Sequence, residues 1–478
     1  MTTATPASFY IYDFETFGTH PALDRPSQFA GIRVDHHLNP IEEPLVIYCK
    51  QADDYLPNPE AVLITGITPQ LCNQKGVSEA EFSRLIHEAF SKPNTCILGY
   101  NTIKFDDEVT RHLFYRNFID PYAHHWQNGN SRWDMVDVVR ATYALRPDGI
   151  NWPLNDEGFV NFKLEALTQA NGIVHESAHD AMSDVFATLE IMRLIMAKQP
   201  RIFQYLFTHR DKQKLISLLD FVDPTPLVHI SSMYGAARSN MSIILPICWH
   251  PSNKNTFIAY DLTLSPTPLF SCDPQKIREH LFTPKSKRDA NYTPVGLMTI
   301  ALNKCPILAP IKTLLPDTIL HLNLNFDVID AHIALLKSHS EFRHIASEVF
   351  NQEVSFNSDT ISNDVDNQLY SGFFSQADKH LFEQIRSTIP KNLSLIDIKN
   401  DDKRIEQLFF RYKAKNFPFT LNIDEQDRWL AHRKDKLTPQ ALEKYVAQLE
   451  NLVELNQENP KNLMLLKRLF DYLQAIAQ

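Results

Sequence analysis

Two kinds of hydrophobic pattern alternate along the first 199 residues of this 478-residue chain. Short apolar runs, typical of strands, are interleaved with segments in which apolar residues recur every three or four positions, as in helices. The strand-like runs are 9–12, 29–34, 45–48 and 95–101, and the helical segments are 78–90, 109–118, 133–145, 163–170 and 181–198. This alternation predicts a central mixed sheet flanked by helices, ending near Pro200.

The pattern changes after Pro200. A short helical segment at 212–219 precedes strand-like runs that are separated by turn-forming clusters such as 251–255. The runs are 227–230, 241–247 and 256–262. This pattern of short strands and turns predicts a small β-barrel with helical insertions over residues 200–352.

The chain from residue 356 to its end is predicted to be helical. The helical segments are 377–389, 404–415, 424–434, 439–454 and 460–476, and the polar, acidic stretch 357–367 reads as a linker. The length exceeds that of one typical core. We therefore predict three domains, at 1–199, 200–352 and 356–478.

Two acids stand at the end of the first apolar run. Asp13 and Glu15 are two positions apart, so in a strand their side chains leave the same face. Two like charges that close are unfavourable unless a cation lies between them, and a hard divalent metal ion takes carboxylate oxygens readily. The alternative is an exposed strand end with two solvated acids.

Further candidate groups follow the later elements. Asp106 lies near the start of the predicted helix 109–118, Asp184 lies in the first turns of helix 181–198, and His179 lies in the turn before that helix. Separately, Asp106 could be a helix cap and His179 a cap or surface residue. Together the four carboxylates and one imidazole fit two-metal phosphodiester hydrolysis, with the imidazole accepting a proton from water near neutral pH.

Composition narrows the classes of protein. No apolar run approaches the roughly 20 residues that cross a bilayer, and the N-terminus lacks the pattern of a secretory signal. The six cysteines form no CxxC pair, which predicts reduced core residues in a cytoplasmic protein and no zinc site. The glycines form no nucleotide-binding fingerprint.

A net charge of −10 weakly disfavours a nucleic-acid ligand, but polyanion binding needs only a local basic patch. Segment 111–133 is a candidate, because it combines arginines with aromatic residues and has Asp120 as its one acid. These residues are Arg111, Arg116, Arg132, Phe114, Tyr115, Phe118, Tyr122, Trp126 and Trp133. Aromatic rings stack on unpaired bases and arginines meet phosphates. The alternative is that half of the aromatics belong to the core, where Leu113 and Phe114 are expected.

Several motifs resemble those of a known family. They are YDFETFGTHP at 12–21, LITGIT at 63–68, GYN at 99–101, FDDE at 105–108 and HDA at 179–181. With these, the chain resembles the histidine-bearing branch of the DEDD exonuclease superfamily and, within it, the bacterial exonuclease I family. GTHPALDRP at 18–26 and SRWD at 131–134 are the stretches most particular to that family.

The resemblance implies an α/β protein in which a ribonuclease H-like exonuclease domain is followed by an SH3-like β-barrel domain and a C-terminal α-helical domain. It implies a monomeric 3′→5′ exodeoxyribonuclease that degrades single-stranded DNA to 5′-mononucleotides in repair and recombination. Asp13, Glu15, Asp106 and Asp184 would hold two Mg²⁺ ions, for which Mn²⁺ could substitute. Glu15 would also lie near the scissile phosphate, and His179 would be the general base.

The resemblance also implies binding residues. Positions that line the strand path in the family are matched by Arg111, Tyr122, Trp126, Arg140 and Lys163. Lys163 departs from the arginine of the family and loses the bidentate fork.

A protein partner is implied in the same way. The family binds the acidic, apolar-ended tail of single-stranded DNA-binding protein, and Arg146 and Tyr205 match that docking surface, while Thr225 replaces one of its basic residues.

Two other functions stay open at this level. One is a DEDD ribonuclease that trims RNA 3′ ends, which the two extra domains disfavour. The other is a catalytically inactive strand-binding adaptor, which the presence of all five site residues disfavours.

Overall fold

The computed structural model describes residues 7–175, 180–289, 292–351, 364–398 and 402–477. The chain forms two compact units. Unit 1 comprises Met1–Thr3, Arg132–Val174 and Glu190–Ser355, and unit 2 comprises Ala4–Ser131, His175–Leu189 and Phe356–Gln478. The strands between residues 8 and 99 belong to unit 2 and those between 227 and 310 to unit 1, and the helix Ala181–Lys198 begins in unit 2 and ends in unit 1.

The strands are, in chain order, β1 (Ser8–Thr16), β2 (Pro26–Val34), β3 (Leu45–Tyr48), β4 (Thr95–Gly99), β5 (Ser131–Asp134), β6 (Leu227–Ile230), β7 (Met241–Trp249), β8 (Thr256–Asp261), β9 (Leu297–Ala301) and β10 (Ile307–Pro310). The helices up to the middle of the chain are α1 (Pro59–Thr65), α2 (Pro69–Lys75), α3 (Glu79–Phe90), α4 (Asp106–Arg116), α5 (Met135–Leu145), α6 (Leu164–Ala170), α7 (Ala181–Lys198), α8 (Pro200–Thr208) and α9 (Lys212–Ile216). Those that follow are α10 (Thr267–Ser271), α11 (Pro274–Phe282), α12 (Pro316–His321), α13 (Phe326–Ser338), α14 (Phe342–Asn351), α15 (Gln376–Ser387), α16 (Lys403–Asn416), α17 (Ile423–Lys436), α18 (Pro439–Leu455) and α19 (Pro460–Ile476).

Strand β1 lies inside the sheet of unit 2, where the strand order is β3-β2-β1-β4. It pairs antiparallel with β2 and parallel with β4. Its alternate residues Tyr10, Tyr12 and Phe14 form one aromatic face, on which α3 packs with Phe82 and Phe90. At the end of β4, a Cβ on Gly99 would stand 2.4 Å from the carbonyl oxygen of Tyr12, so only glycine allows β4 to leave the sheet this close to β1.

The C-terminal helices of unit 2 share cores with elements from the start of the chain. Helices α18 and α19 cover α1 and α2, where Leu449 and Leu469 pack with Val62 and Cys72. Helices α15 and α16 cover the end of α4, packing around Phe118. These helices are amphipathic. They bury their apolar faces against elements from the start of the chain as well as against one another.

Unit 1 contains a five-stranded antiparallel sheet in the order β10-β6-β7-β8-β9. Because successive side chains point to opposite faces, Ile244 packs on one face beside α9 and Ile243 on the other beneath α11, α13 and α14. Both faces of the sheet are therefore covered.

Most predicted elements are confirmed, with differences at their ends. Residues 133–134 belong to β5, so the predicted helix 133–145 begins only at Met135. Helix α4 begins three residues before the predicted residue 109, and α9 ends three residues before residue 219. Strands β9 and β10 and helices α1, α2 and α8 were not predicted. Most of the predicted linker 357–367 lies outside the described residues, while its Val365 is buried.

The cysteines and the apolar character of the helices were also considered in the sequence. All six cysteines are free thiols, and four of them are buried. In the part of the chain that the structure describes, no helix is long and apolar enough to span a membrane.

We predict that Arg116→Ala destabilises the protein by about 3–5 kcal/mol, the usual cost of breaking a buried ion pair by removing one partner. The Arg116 guanidinium lies 3.1 Å from the Glu79 carboxylate, and both side chains are buried. Urea-induced unfolding followed by circular dichroism would measure the change.

The matched control is Arg84→Ala, on the same helix α3 as Glu79. Arg84 pairs with Glu81 and Glu88 in an exposed position, so its loss should cost less than about 1 kcal/mol. Equal losses in the two variants would contradict the structural role of the buried pair.

Candidate active site

The acids of β1 meet an acid of α7. Asp13 and Glu15 leave the same face of β1, opposite to the aromatic face, and Asp184 lies in the first turn of α7. One carboxylate oxygen from each of these three residues lies within 4.8 Å of the others. The predicted shared face of Asp13 and Glu15 and their proximity to Asp184 are confirmed.

Strand β2 supplies the group that positions the start of α7. Gln28 pairs directly with Glu15 across the strands, and its side-chain oxygen accepts a hydrogen bond from the Ala181 amide at 3.3 Å. The Asp180 carboxylate accepts a hydrogen bond from the Ser183 amide at 3.2 Å, as an N-cap does. Asp184 therefore lies one turn into a helix whose start is fixed beside Glu15.

The fourth predicted acid, Asp106, reaches β1 through the backbone. Its carboxylate accepts a hydrogen bond from the Phe14 amide, between Asp13 and Glu15, at 3.2 Å. Asp106 is the first residue of α4 rather than its cap, which is Phe105. Asp106 is therefore brought to the site, although it is not one of the three acids whose oxygens converge within 4.8 Å.

Burial and crowding of these acids raise the pKa values of Asp13 and Glu15. Burial, then the charges of Asp106 and Glu15, hold the pKa of Asp13 well above its usual range. Burial, then the charges of Asp184 and Asp106, raise the pKa of Glu15 to about 9. Without a cation the site therefore retains protons at neutral pH. A set of converging carboxylate oxygens fits a hard divalent cation, which would displace those protons.

His175 is a residue of this site that the sequence did not predict. Its Nε2 lies 2.6 Å from a carboxylate oxygen of Asp184, and its ring is buried. The available signal was a second histidine in the same pre-helical stretch as His179. His179, the predicted general base, lies outside the described residues.

Three candidate strand-binding residues lie in unit 2. Arg111 pairs with Glu108, and its guanidinium lies 5.6 Å from the centre of the Tyr122 ring. Tyr122 is half-buried, whereas the Trp126 side chain is 64% exposed. Trp126 is therefore the candidate ring most accessible to a base.

The rest of segment 111–133 belongs largely to the protein interior. Its buried aromatics are Phe114, Tyr115, Phe118 and Trp133. Arg116 pairs with Glu79, and Arg132 donates to the Asn303 carbonyl. The structure supports the alternative that many of these aromatics belong to the core, as expected for Phe114. Arg116 and Arg132 are taken up by internal contacts as well.

The remaining candidates lie in unit 1. Arg140 pairs with Asp137 at 2.7 Å, and Lys163 is exposed just before α6. Arg146 donates to the Thr313 carbonyl at 2.8 Å, and the Tyr205 hydroxyl donates to the Leu308 carbonyl at 3.0 Å. Burial raises the pKa of Tyr205 to about 12. Arg146 and Tyr205 are thus held by the same short segment of unit 1.

Three family models match the chain. They are an exonuclease model over residues 10–192, the exonuclease I SH3-like domain over 210–352 and the exonuclease I C-terminal domain over 363–476. The chain is 50% identical to exodeoxyribonuclease I of Escherichia coli strain K12 over 98% of each chain. It is 48% identical to that of Haemophilus influenzae over 97% of this chain and 98% of the relative.

Solved structures are similar over the full length. The crystal structure of E. coli exonuclease I with a dA16 oligonucleotide has a TM-score of 0.95 at 50% identity, covering 98% of this chain and all of that one. The zinc-bound E. coli exonuclease I complex with single-stranded DNA has a TM-score of 0.94 at 49% identity over 99% of this chain and 100% of that one. An SSB/exonuclease I structure in complex with the inhibitor CFAM has a TM-score of 0.91 at 48% identity over 98% and 100%.

We predict that Glu15→Gln stabilises the metal-free protein increasingly as the pH rises from 5 to 9. Since the folded-state pKa of Glu15 is raised to about 9 from 4.5, its contribution to stability is present below 4.5 and lost as the pH rises towards 9. Melting temperatures in EDTA should increase by about 2–4 °C for each kcal/mol regained. Mg²⁺ should stabilise the wild type more than the variant.

The control is Glu88→Gln, which changes an exposed acid of α3 and should alter neither the pH profile nor the response to Mg²⁺. If Glu15→Gln lowered the melting temperature equally at every pH, the repulsion described for this site would be absent.

Proposed function

The chain belongs to the exodeoxyribonuclease I family, and on that premise we propose which of its residues degrade single-stranded DNA. As a member of this family, the protein is a 3′→5′ exonuclease, a hydrolase that acts on single-stranded DNA and depends on a divalent metal. The observation that carries the proposal is the convergence of Asp13, Glu15 and Asp184. We further propose that the products are 5′-mononucleotides and that the activity serves DNA repair and recombination.

We propose that the metal is Mg²⁺, bound as two ions by Asp13, Glu15, Asp106 and Asp184, with Mn²⁺ able to substitute. When bound, such ions activate water and stabilise the leaving oxygen. Carboxylate oxygens in a buried, crowded set support a small, hard cation over softer metals. The Phe14 amide orients Asp106 at 3.2 Å, so this ligand is held before any ion arrives.

The remaining catalytic roles rest on the family pattern. His179 is proposed as the general base that accepts the proton of the attacking water. Glu15 is proposed to lie beside the scissile phosphate as well as on the metal. In this assignment the carboxylates hold the metal and a histidine takes the proton. A histidine suits that task because its side chain changes charge near neutral pH.

Arg111, Tyr122, Trp126, Arg140 and Lys163 are proposed to contact the DNA strand. Rings that stack on bases, together with cations that meet phosphates, bind single strands without reading their sequence. The exposure of Trp126 and the contact of Arg111 with Tyr122 support these roles. Lys163 is proposed as a point charge near a phosphate, without the fork of an arginine.

The tail of single-stranded DNA-binding protein is proposed as a partner, with Arg146 and Tyr205 as contacts. The SSB/exonuclease I structure supports this partner. Hydrogen bonds to the Thr313 and Leu308 carbonyls, which hold the Arg146 and Tyr205 side chains in place, support it as well. We also propose a cytoplasmic monomer with domains at 1–199, 200–352 and 356–478, each of which contains one family-model match.

The two rival functions receive less support. An RNA-trimming enzyme does not account for the exonuclease I models over residues 210–352 and 363–476. An inactive adaptor would have no need of acids whose burial and mutual repulsion raise the pKa of Asp13 and Glu15.

We predict that digestion starts at 3′ ends and stops at duplex. A 3′-labelled DNA strand should release labelled mononucleotide at once. The same strand labelled at its 5′ end should give a descending ladder or, if digestion is processive, a direct jump to very short product. A blunt hairpin should persist, because it offers no unpaired 3′ end to residues that stack on single bases. Gel electrophoresis of Mg²⁺-dependent reactions would measure all three.

An RNA strand of the same sequence and the Asp184→Asn variant complete the experiment. RNA should be degraded slowly and the variant should be inactive. Mononucleotide appearing first from the 5′ label would refute the polarity, and RNA degraded as fast as DNA would favour the ribonuclease.

We predict that Trp126→Ala weakens binding of single-stranded DNA by about 1–3 kcal/mol, the contribution of one stacked base. Fluorescence anisotropy with Ca²⁺ in place of Mg²⁺ would measure affinity without cleavage.

Trp126→Phe retains an aromatic face and is the matched variant, expected to keep most of the affinity. A lowered melting temperature in Trp126→Ala with unchanged affinity would assign this side chain to packing instead.

A further inference from the structure

Two residues next to the candidate metal ligands are joined by a buried hydrogen bond. Tyr12 precedes Asp13 on β1, and Asp107 follows Asp106 at the start of α4. The Tyr12 hydroxyl donates to a carboxylate oxygen of Asp107 at 2.9 Å, and the two residues are 2% and 3% exposed. Hydrogen bonds to charged acceptors away from water are among the stronger ones in proteins.

This bond and the Phe14–Asp106 bond join the same two segments. Tyr12 and Phe14 flank Asp13, and each is bonded to one of the two consecutive acids of α4, at 2.9 and 3.2 Å. When both are ionised, Asp13 and Asp106 carry like charges on the two segments that these bonds join, and like charges favour separation of the segments. Two bonds, one on each side of Asp13, oppose the separation that this repulsion favours.

Asp107 also lies near Arg111, which we assign to strand binding, and near His125, which does not belong to that set. The oxygen that accepts the Tyr12 hydroxyl lies 3.7 Å from Nε2 of His125, the residue before Trp126. The charge of Asp107 contributes to the raised pKa of Arg111, which lies one turn further along α4. Asp107 therefore contacts neighbours of both the acid cluster and the exposed tryptophan.

We propose that Asp107 is a positioning residue for the cleavage reaction. Through Tyr12 it holds the start of α4 against β1, which fixes the separation of the Asp13 and Asp106 carboxylates. The proposal rests on the proposed function, since it assigns a supporting role at that site.

The test compares Tyr12→Phe, Asp107→Ala and Asp107→Asn with the wild type. Tyr12→Phe removes the donor alone, and Asp107→Asn retains an acceptor for it. Binding of Mn²⁺ is followed by the electron paramagnetic resonance of the free ion, and kcat and KM are measured on a single-stranded oligonucleotide.

We expect Tyr12→Phe and Asp107→Ala to weaken Mn²⁺ binding and to lower kcat by about 10–100-fold, the usual effect of losing a group that orients a metal ligand. KM should change less than kcat, and Asp107→Asn should recover much of both losses. The double variant Tyr12→Phe/Asp107→Ala should be no worse than Asp107→Ala, because the two residues act through one bond.

The matched control is Tyr10→Phe, which removes a hydroxyl from the same aromatic face of β1, two residues before Tyr12. It should leave Mn²⁺ affinity and kcat unchanged. Thermal unfolding of every variant separates a loss of folded protein from a loss of positioning.

Unchanged Mn²⁺ affinity and kcat in Tyr12→Phe would overturn the proposal, as would losses explained by the folded fraction alone. Mn²⁺ binding remains informative without cleavage. An inactive wild type that binds Mn²⁺ would count against the proposed function, whereas variants that bind as the wild type does would count against the role of Asp107.

Discussion

Repulsion among buried carboxylates is the constraint on which the arrangement of unit 2 depends. Asp13 and Glu15 are placed on one face of β1 by the strand geometry, and folding brings Asp184 to them and Asp106 to the Phe14 amide between them. No isolated strand or helix would hold such a set together. Pairing of β1 on both edges, the Phe14 amide and the Gln28 side chain supply the required rigidity. The site is therefore a crowded set of buried acids whose repulsion a bound divalent cation would relieve.

The sequence predicted those features that follow from local periodicity. The shared face of Asp13 and Glu15 needs only the two-residue repeat of a strand, and the C-terminal helices needed only their apolar stripes. The bond between Tyr12 and Asp107 joins residues 95 positions apart, so no periodicity could reveal it. The contact of His175 with Asp184 was missed for a related reason, because it depends on the path of a loop.

Residue type alone did not predict which aromatic side chains are buried, because burial depends on partners that are distant in the sequence. Trp126 and Trp133 lie in one aromatic segment, yet Trp126 is exposed and Trp133 is buried against Phe203 and Phe207 of α8. The same holds for arginines. Arg116 forms a buried ion pair with Glu79, so part of the positive charge of this segment is neutralised inside the protein. With Arg116 and Arg132 taken up inside the protein, we expect stacking on the exposed Trp126 to contribute to strand affinity alongside phosphate contacts.

The packing of the last helices on the first ones has a consequence for synthesis. Val62 and Cys72 are covered by Leu449 and Leu469, which leave the ribosome almost four hundred residues later. Until then the apolar faces of α1 and α2 have no native cover, and the contacts that complete this core are of very long range. The apolar faces of α1 and α2 thus stay uncovered until α18 and α19 have been synthesised, and we expect a chain truncated before them to be open to aggregation and proteolysis.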